Sequence, residues 1–323
     1  MKQTSRFFTS IISLVIIVGS LFAISQRQQI FDWWALRNYT PSERIVGLAN
    51  DTTMNDATRR LFYVNHPELN DKDTFRNKCP ATEQSIVLGC YVQRTGIYLL
   101  DVTDERLSGV IQVTAAHETL HAQYDRLSSE ERARVDTMTS SFFAGLQNDR
   151  LTKTIEQYRA KDPSVVPNEL HSILATEIKD LSPELEAYYS RYFTNRAQIV
   201  AFSEKYEDTF VKLTEQVEQY DARLAALKET IASNQLEIEA QNTEIEQQKQ
   251  RLDSLINDNS TNQYNAAVPG YNALVNAYNR LIASTRASIN EYNTIVEQRN
   301  AIATTEEELV EAINSNAMPR KTQ

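Results

Sequence analysis

The second half of the chain carries a heptad pattern that is sustained over about seven repeats. Apolar side chains recur at alternating steps of four and three residues across residues 206–255. The pattern stops across residues 257–270, a polar stretch that ends in Pro269-Gly270, and it resumes across residues 275–310. This spacing is typical of coiled coils. The break between the two runs predicts two long helices that pair as an antiparallel hairpin.

Helix-breaking residues indicate where the chain reverses. A proline deep in a helix costs about 3 kcal/mol, so Pro269-Gly270 and the polar residues before them favour a reversal in that stretch. The expected register puts Leu252 near the turn at Val275 and Tyr220 nearer the far end of the second arm. The alternative is that both arms continue and pair with a second molecule, which would make the arm a dimerisation device.

Composition limits the rest of the fold and the classes of partner. The 323 residues include only 7 Gly and 8 Pro, too few for the many turns of an all-β fold. Apolar residues make up 41% of the chain, so it is neither disordered nor polytopic. The net charge of −10 argues against nucleic acid as a partner, because non-specific binders carry clustered positive charge.

The N-terminus predicts a transmembrane signal anchor. Phe7 to Ala23 form a nearly unbroken apolar run that is long enough to cross a bilayer as a helix. Lys2 and Arg6 precede the run, which puts the N-terminus in the cytoplasm and the bulk of the chain outside. A cleaved signal peptide is the alternative, with Ala23-Ile24-Ser25 as a small-x-small site, and it would give a secreted protein. Both interpretations place the remaining chain in an extracytoplasmic compartment.

Two features after the apolar run bear on that compartment. Cys79 and Cys90 are eleven residues apart and could form a disulfide in an oxidising space, with two free buried thiols as the alternative. Trp33 and Trp34 lie in a segment with amphipathic spacing. They could sit at the membrane surface, or they could cap the core of the domain.

The middle of the chain predicts a mostly helical domain with a small β-hairpin. Residues 85–92 and 96–102 are β-branched and aromatic-rich, and a turn with a glycine joins them. A helical pattern begins with Asp104 as a possible N-cap, and further helices are expected over 129–159 and 168–180.

The segment His117-Glu118-Thr119-Leu120-His121 lies within the first of these helices. Residues four apart on a helix project from one face, so His117 and His121 can bind one Zn²⁺. Glu118 points to the side of the metal, where a carboxylate can take a proton from the water that the metal activates. Two histidines on the surface of a helix are the structural alternative.

This segment resembles the HExxH signature of the zincin metallopeptidases, and the local resemblance covers roughly residues 60–195. It implies an α+β domain in which a strand at the edge of a small sheet precedes the active helix, and residues 97–102 are the matching segment. No Gly or third His follows His121, which excludes the metzincin branch. The resemblance therefore implies the gluzincin-like branch, in which the third zinc ligand is a Glu on a later helix.

Residues 168–172, Asn-Glu-Leu-His-Ser, resemble part of the third-ligand motif of thermolysin-type enzymes and the Glu-led helix of lethal-factor-like metalloproteases. They depart from the thermolysin pattern, because Ile173 stands where an Asp would follow. The resemblance implies Glu169 as the third ligand, with Glu177 as the second choice and His171 as the third. The candidates that do not bind the metal are expected to support the ligands.

The same resemblance leaves the group that stabilises the oxyanion open. His171 is one candidate for this catalytic role, and the others are three tyrosines for which helix packing is the alternative: Tyr188, Tyr189 and Tyr192.

These observations predict a membrane-tethered zinc peptidase that acts on peptide or protein substrates outside the cytoplasm. We expect the anchor at residues 1–30, the peptidase domain at 31–197, the coiled-coil hairpin at 198–315 and a tail at 316–323. The hairpin would dock a protein partner. The rival hypothesis is a cell-envelope interaction protein whose zincin-like domain is degenerate, and a third is an enzyme held inactive until a partner binds the hairpin.

Overall fold

The structure is a computed structural model that describes residues 26–79 and 87–315. The described chain forms two compact units, one from the residues up to Thr209 together with those from Leu309, and the other from Phe210–Glu308. The predicted anchor, its cleavage site and the tail lie outside the described residues. Within the described ranges, no helix is long and apolar enough to span a bilayer. The predicted fold class, mostly α with a small sheet and a long helical hairpin, is confirmed.

The first unit combines short helices with one small sheet. In chain order its short helices are α1 (Arg27–Leu36), α2 (Glu43–Asp51), α3 (Asp56–Val64), α4 (Lys72–Lys78), α5 (Val110–Asp125), α6 (Ser129–Gly145), α7 (Asp149–Lys161), α8 (Val166–Glu177) and α9 (Pro183–Tyr189). Six of them begin at a side chain that accepts a hydrogen bond from the first turn, as N-caps do. These residues are Ser42, Asn55, Asp71, Ser128, Asn148 and Ser182.

The sheet has three strands, β1 (Glu68–Asn70), β2 (Gly89–Val92) and β3 (Gly96–Leu100), in the order β1-β3-β2. The predicted hairpin is confirmed, because β2 pairs with β3 in antiparallel register. The expectation that residues 97–102 form the edge of the sheet is wrong, because β1 pairs in parallel with the other side of β3. All of β3 is buried, which explains its unbroken apolar run.

The predicted disulfide is confirmed. Cys79 follows the last residue of α4 and is bonded to Cys90 in β2. The bridge therefore ties an edge strand of the sheet to a neighbouring helix.

The helix that carries the HExxH segment is the centre of the unit rather than an amphipathic surface helix. Asp104 caps a 3-10 turn at Glu105–Leu107, and α5 begins only after Gly109, whose φ is 110°. A Cβ at Gly109 would lie 2.6 Å from the carbonyl oxygen of Phe202, so glycine is required by both conformation and space. Buried residues occur on every side of α5.

The helix expected over residues 129–159 is two helices, α6 and α7. The chain leaves the helical conformation at Leu146, and Asn148 caps the start of α7 through a hydrogen bond to the Leu151 amide. A new N-cap inside an otherwise helical pattern is the physical reason for the break.

The second unit is built from parts of α10 (Arg196–Asn257) and α11 (Thr261–Ile313), which pair in antiparallel fashion. Two ion pairs join them, Asp221 to Arg299 at 2.5 Å and Arg223 to Glu291 at 2.6 Å. The hairpin within one chain is therefore confirmed, together with the position of Tyr220 beside the later part of α11.

The predicted place of the chain reversal is wrong. The helices are separated only by residues 258–260, where Asn259 has a φ of 57° and ends α10 in the left-handed conformation. Pro269 lies inside α11 on its exposed side, where water can bond the carbonyl that the missing N–H leaves free. The expected register shifts accordingly, because the chain reverses at residues 258–260 and Asn234 Nδ2 lies 3.1 Å from Thr285 Oγ1. This pairing puts Leu252 opposite the part of α11 near Ala266 rather than near Val275.

Candidate metal centre

Helices α5 and α8 bring three potential metal ligands together. His117 Nε2 lies 3.5 Å from Glu169 Oε2, and His121 Nε2 lies 3.7 Å from Glu169 Oε1. One ligand atom from each of the three residues lies within 4.8 Å of the others. Tetrahedral zinc with bonds of about 2.0–2.1 Å requires ligand atoms about 3.4 Å apart. The three side chains therefore match a zinc site without large movements.

Helices α5 and α8 pack closely against each other. Ala115 and Ala116 on α5 and Ala175 on α8 are completely buried in the core of the unit. The packing of the two helices brings the imidazoles and Glu169 together.

One oxygen of Glu169 has only a long polar contact. Oε2 is buried, lies 3.5 Å from His117 Nε2 and makes no hydrogen bond of good geometry within the part of the chain that the structure describes. Buried polar atoms are nearly always satisfied, so a buried carboxylate with an oxygen that lacks a good hydrogen bond, next to two imidazoles, fits a cation site. Zinc also accepts this set of donors, two imidazole nitrogens and a carboxylate oxygen, in catalytic sites.

Further side chains orient the ligands. The Tyr158 hydroxyl on α7 interacts with the Glu169 carboxylate and helps to lower its pKa. Ser172 Oγ lies 3.3 Å from His121 Nδ1, so the hydroxyl fixes the ring while Nε2 faces Glu169. Such outer partners are characteristic of metal-binding histidines and carboxylates.

The charge state of Glu169 suits a ligand. Burial opposes its ionisation, but hydrogen bonding to His117 and the potential of both imidazoles outweigh that cost. The pKa of Glu169 therefore lies below the ordinary carboxyl value, and the group is an anion at neutral pH.

Glu118 has a different environment. Its side chain is buried against β2, and an interaction with the Tyr91 backbone N–H partly offsets the effect of burial on its pKa. Gly89 leaves it room, because a Cβ there would lie 2.8 Å from Glu118 Cγ. Burial raises the pKa of Glu118 to about 7, and the nearby Glu169 carboxylate adds to the rise. A carboxyl group with such a pKa can both accept and return a proton at neutral pH.

Glu177 does not join the two histidines. Its carboxylate forms an ion pair with Arg150 at 2.9 Å, and Arg150 also contacts Glu207 at 3.0 Å. The second-choice ligand therefore holds the end of α8 against α7 and the start of α10.

His171 is completely buried in a cluster of tyrosines. Its Nε2 lies 3.0 Å from the Tyr188 hydroxyl, which in turn lies 2.9 Å from the Tyr192 hydroxyl. The Tyr189 hydroxyl donates to the His171 carbonyl oxygen. Burial lowers the pKa of His171 to about 3, so the ring is neutral. Its role as oxyanion donor stays a prediction, and the geometry favours a packing role for it and the tyrosines.

Sequence reasoning missed the supporting residues. Ser172 lies three residues after Glu169 on α8, so the i, i+3 spacing could have identified it. Tyr158 comes from a different helix and carries no local signal. Gly89 and Tyr91 act through the position of a strand, which the sequence pattern did not reveal.

Comparison of the chain with models of known families, with curated proteins and with solved structures gives no match.

Proposed function

We propose that this chain is a zinc-dependent peptidase that hydrolyses peptide bonds, is tethered to the membrane by its N-terminus and works outside the cytoplasm. The observation that carries the proposal is the convergence of His117, His121 and Glu169, with one buried carboxylate oxygen that makes no good hydrogen bond, next to a carboxyl group with a pKa of about 7.

In this proposal, His117, His121 and Glu169 hold the ion. A bound zinc ion supplies Lewis acidity, which polarises a carbonyl group and acidifies water. Glu118 takes the proton of the attacking water and returns it to the leaving amine. The Tyr91 backbone N–H favours the ionised form of Glu118.

The hairpin would serve a separate purpose. Residues 210–308 form a compact unit of their own, so a protein partner could bind there without entering the metal centre. The rival function, an envelope interaction protein with a degenerate domain, is separated from the peptidase by zinc content.

The first experiment measures metal in the purified full chain. We expect about one zinc ion per chain, and a large loss of zinc in His117→Ala and Glu169→Ala. Glu177→Ala is the matched control, because it removes the same kind of side chain from the same helix and should retain zinc. Near-zero zinc in the wild-type protein after reconstitution would eliminate the peptidase.

The second experiment tests the base. Glu118→Gln keeps the shape of the side chain but cannot accept the proton, so it should keep zinc and lose nearly all hydrolysis of a peptide library. A variant that holds zinc and remains active would show that Glu118 is not the base.

A further inference from the structure

The first helix of the globular unit exposes a row of large apolar side chains. Ile30 is 51% exposed, Phe31 46%, Trp33 59% and Trp34 70%. The expectation that the tryptophans cap the core is therefore wrong. Contiguous exposed apolar surface of this kind marks a contact with a membrane or another protein.

This helix is firmly attached to the domain. Asp32 faces the opposite way, is buried, and accepts hydrogen bonds from both Arg126 Nη atoms at 2.6 and 2.8 Å. Behind it, the Ala35 carbonyl oxygen lies 2.8 Å from His66 Nε2. The exposed apolar side of this helix is therefore held in a fixed position on the domain.

We propose that this aromatic face, Ile30, Phe31, Trp33 and Trp34, rests in the interfacial layer of a lipid bilayer. Tryptophan is enriched at that depth, because the ring is apolar and its N–H is polar. An exposed apolar face on a helix that lies in the membrane plane binds in the same manner.

The length of the chain before α1 favours a bilayer as the occupant. The apolar run ends at Ala23, and α1 begins at Arg27. Four extended steps cover at most about 13 Å, so a membrane crossed by residues 7–23 lies within reach of this helix. Arg37 lies over the Trp33 ring at 5.7 Å, and its guanidinium group is then near the lipid phosphates.

The consequence is a two-point attachment. An anchor alone would leave the domain free to rotate about its tether, whereas contact along α1 fixes which side of the domain faces the bilayer. The proposal rests on the predicted anchor and is independent of the peptidase chemistry.

The chain offers a direct test, because its only two tryptophans are Trp33 and Trp34. The full chain is reconstituted into phosphatidylcholine vesicles with ordinary or brominated acyl chains, and tryptophan emission is recorded. We expect most of the emission to be lost in brominated vesicles, while aqueous iodide has little effect. The single-tryptophan variants Trp33→Phe and Trp34→Phe report each ring, and both remaining rings should be quenched by the lipid.

Two outcomes would overturn the proposal. Quenching by iodide but not by brominated lipid would place the rings in water. Protection from both quenchers would mean that protein covers the helix, either residues 7–23 of the same chain or a second copy. Zinc content and hydrolysis are measured on the same samples, so failure of the membrane contact is distinguishable from failure of the peptidase.

Discussion

Arg196, the first residue of α10, is positioned to hold the end of the helix that carries Glu169. Its side chain is 5% exposed. One Nη atom donates to the carbonyl oxygens of Ala175 and Ile178 at 3.2 and 2.6 Å, and the other donates to Lys179 at 2.7 Å. These carbonyls lie in the last turn of α8 and just beyond it, where a helix lacks internal partners. Glu186 completes the set as an ion-pair partner.

Replacing Arg196 with Met keeps a long apolar side chain but removes every donor. Lys179 is exposed, so water can donate a hydrogen bond to its carbonyl oxygen, whereas Ala175 and Ile178 are buried. Two unsatisfied buried carbonyls at about 1–3 kcal/mol each predict a loss of about 4 kcal/mol in unfolding free energy. The amides of α8 should then exchange with solvent about 10³-fold faster, as hydrogen-exchange mass spectrometry can measure.

Glu186→Gln is the matched control for this experiment. It weakens the ion pair but leaves the carbonyl bonds, and Glu186 is 44% exposed. A partly exposed pair contributes about 0–1 kcal/mol, so exchange should change little. Equal effects of the two variants, or a change below about 1 kcal/mol in Arg196→Met, would refute the argument from buried carbonyls.

Three further predictions follow from particular contacts. Gly89→Ala places a Cβ 2.5 Å from Thr114 Cγ2, so it should cost about 1–3 kcal/mol of stability and reduce hydrolysis while zinc is retained. Gly47→Ala is its control, because a Cβ there would meet nothing within 4 Å. Equal losses of stability in the two variants would contradict the argument from crowding at Gly89. In metal-free protein, the buried Glu118 carboxyl has a pKa of about 7 against an ordinary 4.5. The folded protein therefore loses stability as the pH rises from 4.5 through 7, because the buried group must ionise. Urea unfolding should show Glu118→Gln more stable than wild type by up to about 3 kcal/mol at pH 8 and by little at pH 4. In the hairpin, Asn234 Nδ2 lies 3.1 Å from Thr285 Oγ1, so cysteines at these two positions should crosslink within one chain at high dilution; crosslinks only between chains would contradict the intramolecular pairing.

The features that depend on local geometry were predictable from the sequence. His117 and His121 share a helix face because they are four residues apart, and the helical hairpin follows from the sustained heptads. Glu169 came from the resemblance of a short motif, and the structure brings its carboxylate to the two histidines.

The features that depend on pairing between distant segments were not predictable. Strand β1 has only three residues and carries no alternation, so nothing in it indicates a parallel pairing with β3. The predicted reversal lies too far along the chain, because the helix tolerates Pro269 on a side that is exposed to water. Asn259, which adopts the left-handed conformation, was the more informative residue.

The Cys79–Cys90 bridge makes the environment of Glu118 depend on the compartment in which the chain folds. Closing a loop of about eleven residues contributes about 3 kcal/mol by restricting the unfolded chain, and the closed loop holds the strand whose Gly89 and Tyr91 enclose Glu118. The reducing cytoplasm keeps cysteine thiols in the reduced form, whereas extracytoplasmic compartments allow disulfides to form. If the chain is exported as proposed, the strand beside Glu118 is therefore secured by the bridge only after the chain has left the cytoplasm.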